Sequence, residues 1–184
     1  MTITQFSVTL AQNFQKYSIV PLIKEYIEEI EEIEEINKSW RFNLTSKKDK
    51  KSILKEWIIL ELFLFGQEIL EYFKGNQIGN DIVGSLNYFC ADNFVEYKIF
   101  SGNDKFEELL TSRYAYYLKI LKDSEPNDIF LLSKNILSQL CSEKSNIIYT
   151  TAIAMYYFDT SSMYRKLIIG LMKEINLIEQ NNNG

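Results

Sequence analysis

The apolar residues of this chain are unevenly spread, and one stretch dominates. From Ile53 to Phe73 the sequence reads ILKEWIILELFLFGQEILEYF, and between Trp57 and Phe65 only Glu61 interrupts the apolar side chains. The pattern continues through Ile69, Leu70, Tyr72 and Phe73, well past the length of an ordinary strand, so it predicts a helix. Leu54, Ile58, Phe65, Ile69 and Phe73 recur near one face, and Trp57, Leu60, Leu62 and Leu64 widen that stripe until little polar surface is left. A helix apolar on nearly every side has to be covered by protein or lipid. Crossing a bilayer takes ~18 or more uninterrupted apolar residues, and Glu56, Glu61 and Glu68 break this run. The expectation is therefore a buried central helix over residues 53–73, with the other helices arranged to cover it. Gly66 in its middle costs roughly 1 kcal/mol relative to alanine and implies close approach of a neighbouring helix.

The rest of the chain repeats the helical period. Phe6, Leu10, Phe14 and Tyr17 mark a first amphipathic helix from about Ile3, and Ser18 to Pro21 predicts a break or kink. A second helix is expected to about Asn37, carrying Ile27, Ile30, Ile33 and Ile36 with glutamates between them. A basic segment follows, from Lys38 through Arg41, Lys47, Lys48, Lys50 and Lys51 to Lys55. The acidic 25–35 stretch and the basic 38–55 stretch are expected to pair within an antiparallel hairpin, each offsetting the other's unfavourable position on a helix dipole. Ser46 to Asp49 has capping-box character at the start of the central helix.

Beyond the turn at Gly75–Asn80, a helix over residues 81–100 turns Val83, Leu86, Cys90, Phe94 and Tyr97 inward. Asp104 opens the next helix, with Phe106, Leu109, Leu110, Tyr114, Tyr117, Leu118 and Leu121 along one stripe and Arg113 on or near it. Ser124 to Pro126 opens a further helix that ends at the break after Cys141. IIYTTAIAMYYF, from Ile147 to Phe158, is by composition a second buried element. Asp159-Thr-Ser-Ser then signals the start of a last helix bearing Tyr164, Leu167, Ile168, Leu171, Met172, Ile175 and Ile178. The whole is an all-α, single-domain, irregular bundle of about seven helices: residues 1–179 form the domain, and residues 180–184 form a polar tail.

Composition narrows the chemistry. The 184 residues include only 2 Pro and 7 Gly, too few punctuators for a β meander. The net charge of -5 is the wrong sign for gripping nucleic acid. Cys90 and Cys141 sit in apolar helical contexts and read as free thiols of a cytoplasmic protein. The N-terminus lacks a basic stretch followed by an apolar core, so no secretory signal is expected. The chain contains no histidine, which removes His-based acid–base chemistry, Ser-His and Cys-His pairs and most zinc sites. No metal or cofactor is expected, and no phosphate-cradling glycine motif occurs.

Glu61 is the sharpest individual residue, a carboxylate among Trp57, Ile58, Leu62, Phe63, Leu64 and Phe65. Arg113 is its expected partner, being the one arginine on an otherwise apolar helix face. Glu68 lies seven residues on and shares the Glu61 face. Tyr114, Tyr117, Tyr156 and Tyr157 belong to the two densest aromatic clusters, and tyrosines of this kind line ligand pockets or simply fill a core. The favoured expectation is a non-enzymatic helical protein that works through a protein partner or a homodimer, as a regulator, adaptor or immunity-type protein. The alternative is a small-molecule binder with an apolar, aromatic-lined pocket. A third is a histidine-free carboxylate enzyme centred on Glu61. Neither nucleic acid nor membrane is an expected partner.

Overall fold

The computed structural model describes residues 2–24, 50–96, 98–123, 129–140 and 147–182. Among them it contains six helices and no strand: α1 (Ile3–Phe14), α2 (Lys50–Tyr72), α3 (Gln77–Glu96), α4 (Asn103–Asp123), α5 (Ile129–Leu140) and α6 (Ile147–Asn182). The class is all-α. The acidic and basic stretches between residues 25 and 49, with their proposed hairpin and capping box, lie outside the described residues, as do Tyr97, Pro126 and Cys141.

α2 is the element the sequence marks out, and its middle, from Glu56 to Gly66, is buried on every side. Trp57, Ile58, Ile59, Leu62, Phe63, Leu64, Phe65 and Ile69 are all fully buried. α6 lies along one side of α2, while α3, α4 and α5 pack on others. α1 reaches it through Phe14, which stacks on Phe65 with ring centroids 5.4 Å apart. One continuous hydrophobic cluster draws buried residues from all six helices. A helix with no polar face is stable in water only under such a cover.

α1 opens on a capping box: the Gln5 amide donates to Thr2 Oγ1 at 3.2 Å, and the Thr2 amide donates to Gln5 Oε1 at 2.8 Å. Its stripe of Phe6, Leu10 and Phe14 is buried, but the expected break at Ser18–Pro21 is not a break. The chain passes through one π-helical turn, Gln15–Ile19, and stays helical to Lys24. The Val20 amide reaches back five residues to the Gln15 carbonyl. Widening the turn just ahead of Pro21 accommodates a residue that has no amide hydrogen to donate. It also rotates the register, so Tyr17, expected inside, is exposed and Ile19 is buried in its place.

The α2–α3 turn is tighter than expected, and α3 begins at Gln77. Gly75 adopts φ +64, and the Gly75 amide closes the end of α2 on the Leu70 carbonyl at 2.7 Å. A Cβ on Gly79 would stand 2.9 Å from the Phe73 Cβ, so here the helices meet too closely for a side chain. At Gly66 an added Cβ would sit in ordinary contact, 3.5 Å from Val83 Cγ1 and 3.6 Å from the Tyr114 hydroxyl oxygen. The close approach that excludes a side chain therefore lies at Gly79 rather than Gly66. α3 ends at Glu96 instead of Phe100, and Phe100 turns back to pack with Phe94 and Phe106 at 6.2 and 5.2 Å.

The two last elements read from the sequence are one helix of 36 residues. Ile153, Tyr157, Thr160, Tyr164 and Ile168 carry a single inner face straight through Asp159-Thr-Ser-Ser. Polar residues that favour a helix start do not stop a helix whose packing face continues in register. α6 also extends to Asn182, into the stretch read as a tail. Among the described residues, no helix is long and apolar enough to cross a membrane.

Candidate functional site

Three carboxylates point out of α2 into the interior, and each meets a partner on another helix. Glu56, Glu61 and Glu68 are all buried. At 3.6 residues per turn, Glu61 and Glu68 lie within about 20° of each other, while Glu56 lies about 140° from Glu61. The two faces are served by different helices, as that geometry requires.

On the Glu56 face, α4 supplies Arg113. Its guanidinium donates Nε–H to Glu56 Oε2 at 2.7 Å and Nη2–H to Glu56 Oε1 at 2.6 Å, a bidentate pair. The hydrogen bonding with Glu56 holds the Arg113 pKa above its ordinary value, against the opposing effect of burial. The sequence-based pairing of Arg113 with Glu61 is thus corrected. The arginine is in the core as expected, but α4 covers the face of α2 that carries Glu56.

On the Glu61 face, α6 supplies Tyr164, whose hydroxyl donates to Glu61 Oε2. Ser18, from the π-helical turn, lies 2.6 Å from the same hydroxyl oxygen. With the Tyr164 proton directed at the carboxylate, Ser18 is the donor. The next residue, Arg165, donates to Glu68 Oε2 at 2.8 Å and to the exposed Glu71 at 2.9 Å. Consecutive residues of α6 thus take up the two carboxylates that share a face of α2. This arrangement fastens helices; it leaves no bare carboxylate pointing into a cleft.

The tyrosines singled out in the sequence do not converge either. Tyr114 and Tyr117 pack against Phe63 at 5.4 and 5.1 Å, and burial pushes both hydroxyls well above the usual tyrosine range. Tyr156 stands edge-on to Trp57 at 4.9 Å. Tyr157 is half-buried, and its hydroxyl is pushed up first by burial and then by the Glu68 and Glu71 carboxylates. The Cys90 thiol is buried, which pushes its pKa up and makes it a poor nucleophile. Among the described residues, no group of three or more His, Cys, Asp or Glu is placed to hold a metal ion.

Surface depressions among the described residues offer other candidates. A cleft of about 200 Å³ is lined by Glu68, Glu71, Tyr72, Arg165, Ile168 and Ile169, and the arginine already occupies both carboxylates. A larger, open groove of about 520 Å³ runs along α6 and is lined, among the described residues, by Ile148, Thr151, Ala152 and Met155. Neither takes in Tyr114, Tyr117, Tyr156 or Tyr157. The groove lies on the stretch read as a second buried element, and that reading is corrected to a half-buried one. Thr150, Ile153 and Ala154 face inward, but Ile148, Met155 and Phe158 are 73%, 63% and 58% exposed. The signal was present in the sequence: residues 148, 151, 152 and 155 make their own i, i+3, i+4, i+7 stripe, distinct from the inner one. α6 is apolar on two faces: among the described residues α2 and α5 pack on one, while Ile148, Met155 and Phe158 on the other are exposed. In comparisons with family models, curated proteins and solved structures, the chain matches none.

Proposed function

We propose that this protein is a non-enzymatic binding protein that engages another protein through the outer face of α6. The observation that carries the reading is the exposed apolar stripe of Ile148, Met155 and Phe158 flanking Thr151 and Ala152. At ~200 Å² for a large side chain, the exposed fractions of the first three leave on the order of 400 Å² of apolar surface in one place. A patch of this size is that of the largest apolar patch on a typical monomer, which is often functional. No charged residue interrupts the chain from Ile147 to Phe158, which matches the depletion of charge at interface cores. A regulator, adaptor or immunity-type role fits this mode of action, in a reducing compartment that suits a buried free cysteine.

The alternatives draw less support. A carboxylate enzyme centred on Glu61 would have to work from beneath Tyr164. A small-molecule binder would have to use the open groove in place of the filled aromatic core. The test is a photo-crosslinking amino acid placed at position 155, with position 119 on the exposed side of α4 as control. The reading expects a discrete crosslinked protein product from position 155 alone in cells producing the chain. Equal, diffuse labelling from both positions would overturn it.

A further inference from the structure

We infer that the π-helical turn Gln15–Ile19 is a two-register element, and that the Tyr164 hydroxyl sets which register the chain takes. A helix absorbs a proline in either of two ways: a kink in an otherwise ordinary α-helix, or one widened turn just ahead of it. Pro21 is met in the second way, with the Val20 amide on the Gln15 carbonyl. The two ways differ by one residue of register, so side chains beyond the turn are rotated by about 100° between them.

The sequence provides for both. Counted on from Phe14 at the ordinary helical period, Tyr17, Ser18 and Pro21 continue the inner face of Phe6, Leu10 and Phe14. Counted across the wide turn, Ile19, Leu22 and Ile23 continue it; these three are buried, and Tyr17 is exposed. Each register therefore offers the bundle a large apolar side chain after Phe14, Tyr17 in one and Ile19 in the other. Polar groups act on both sides of the choice. In favour of the wide turn, Ser18 Oγ lies 2.6 Å from the Tyr164 hydroxyl, which donates to the buried Glu61. Narrowing the turn swings Ser18 about the helix axis and off that hydroxyl. Against the wide turn, Gln15 Nε2 is buried with no hydrogen-bond partner among the described residues, a cost that any buried donor carries when left unpaired. The setting decides what the surface displays. In the wide register Tyr17 stands outside with the Lys16 ammonium 5.1 Å from the centre of its ring; in the narrow one it turns inward. Tyr164, on α6, is thus a positioning residue for an aromatic side chain carried at the end of α1.

Thiol labelling at positions 17 and 19 tests this in full chains carrying Cys141→Ser, since Cys90 is buried. Tyr17→Cys and Ile19→Cys are made separately, each with and without Tyr164→Phe, and circular dichroism checks that the helices remain. With Tyr164 in place, position 17 is expected to label ~10-fold or more faster than position 19, which waits on local opening. With Tyr164→Phe the two are expected to move in opposite directions, position 17 becoming slower and position 19 faster. Ser18→Ala breaks the same contact from the other side and is expected to move them the same way. A rise in reactivity at both positions would mean that the segment merely unfolds, and would overturn the inference. Unchanged rates at both would overturn it as well, leaving the wide turn fixed by Pro21 alone.

Discussion

α2 and α6 are both rich in apolar residues on more than one side, yet the bundle treats them differently. α2 runs through the middle, where α1, α3, α4, α5 and α6 cover it, and its side chains from Trp57 to Phe65 are buried. α6 lies at the edge, with α2 and α5 on its inner side and an apolar groove on its outer side. The same composition therefore serves two ends. In the centre it is spent on the fold. At the edge, one face holds the fold and the other keeps Ile148, Met155 and Phe158 exposed. The difference lies in how many neighbours each helix has, which composition alone does not reveal.

The contrast can be sharpened by substitution. The largest effect is expected at the centre: Trp57→Ala should lower unfolding free energy by ~3–5 kcal/mol through the cavity it leaves, read from urea denaturation. A loss under ~1 kcal/mol would mean that α2 is not the packed axis of the bundle. Next comes the pair that ties α4 to α2. Arg113→Met should cost about 2–3 kcal/mol, somewhat less than for a wholly buried pair because the arginine keeps some exposure. Adding Glu56→Gln should recover part of that loss, which a double-mutant cycle measures. A Glu61→Gln substitution that coupled to Arg113 as strongly as Glu56→Gln does would contradict the observed pairing.

A smaller effect belongs to the link between α6 and the π-helical turn. Tyr164→Phe removes the hydroxyl shared by Glu61 and Ser18 and should cost ~1–2 kcal/mol. Hydrogen exchange should then show faster opening around residues 15–24. Uniform acceleration across all the helices would argue against a local role.

Burial of the tyrosines has no effect near neutrality and appears only in alkali. The Tyr114 and Tyr117 hydroxyls titrate above the usual value in the folded chain. In the unfolded chain they release their protons near pH ~10. Their contribution to stability is therefore full below that pH and is lost as pH rises through the folded-state values. Absorbance at 295 nm should show these two tyrosines ionising together with the loss of helical signal. Smooth ionisation before unfolding would contradict their burial.

Much of this arrangement was legible in the chain, because periodicity reports burial directly. The central helix and the inward turn of Leu86, Cys90 and Phe94 on α3 follow from spacing alone; the Thr2–Gln5 capping box of α1 was not read from it. What spacing did not carry was relative placement. Arg113 was correctly set on an inward stripe, but its partner depended on which face of α2 met α4. The Ser18–Pro21 signal looked like a break because the sequence does not show that one wide turn can absorb a proline and turn Tyr17 outward. Asp159-Thr-Ser-Ser looked like a boundary because local capping preference cannot be weighed against a packing face that continues past it. The outer stripe of α6 was visible as a pattern, yet its exposure depended on the helix lying at the edge.

On the proposed reading, the exposed outer face of α6 contributes little to the stability of the fold. The most direct test is equilibrium urea unfolding of Met155→Asp beside the unmodified chain, at a concentration low enough to keep both monomeric. The two curves are expected to agree within ~0.5 kcal/mol, as for a surface substitution. A loss approaching that of Trp57→Ala would place Met155 in the core and contradict the claim.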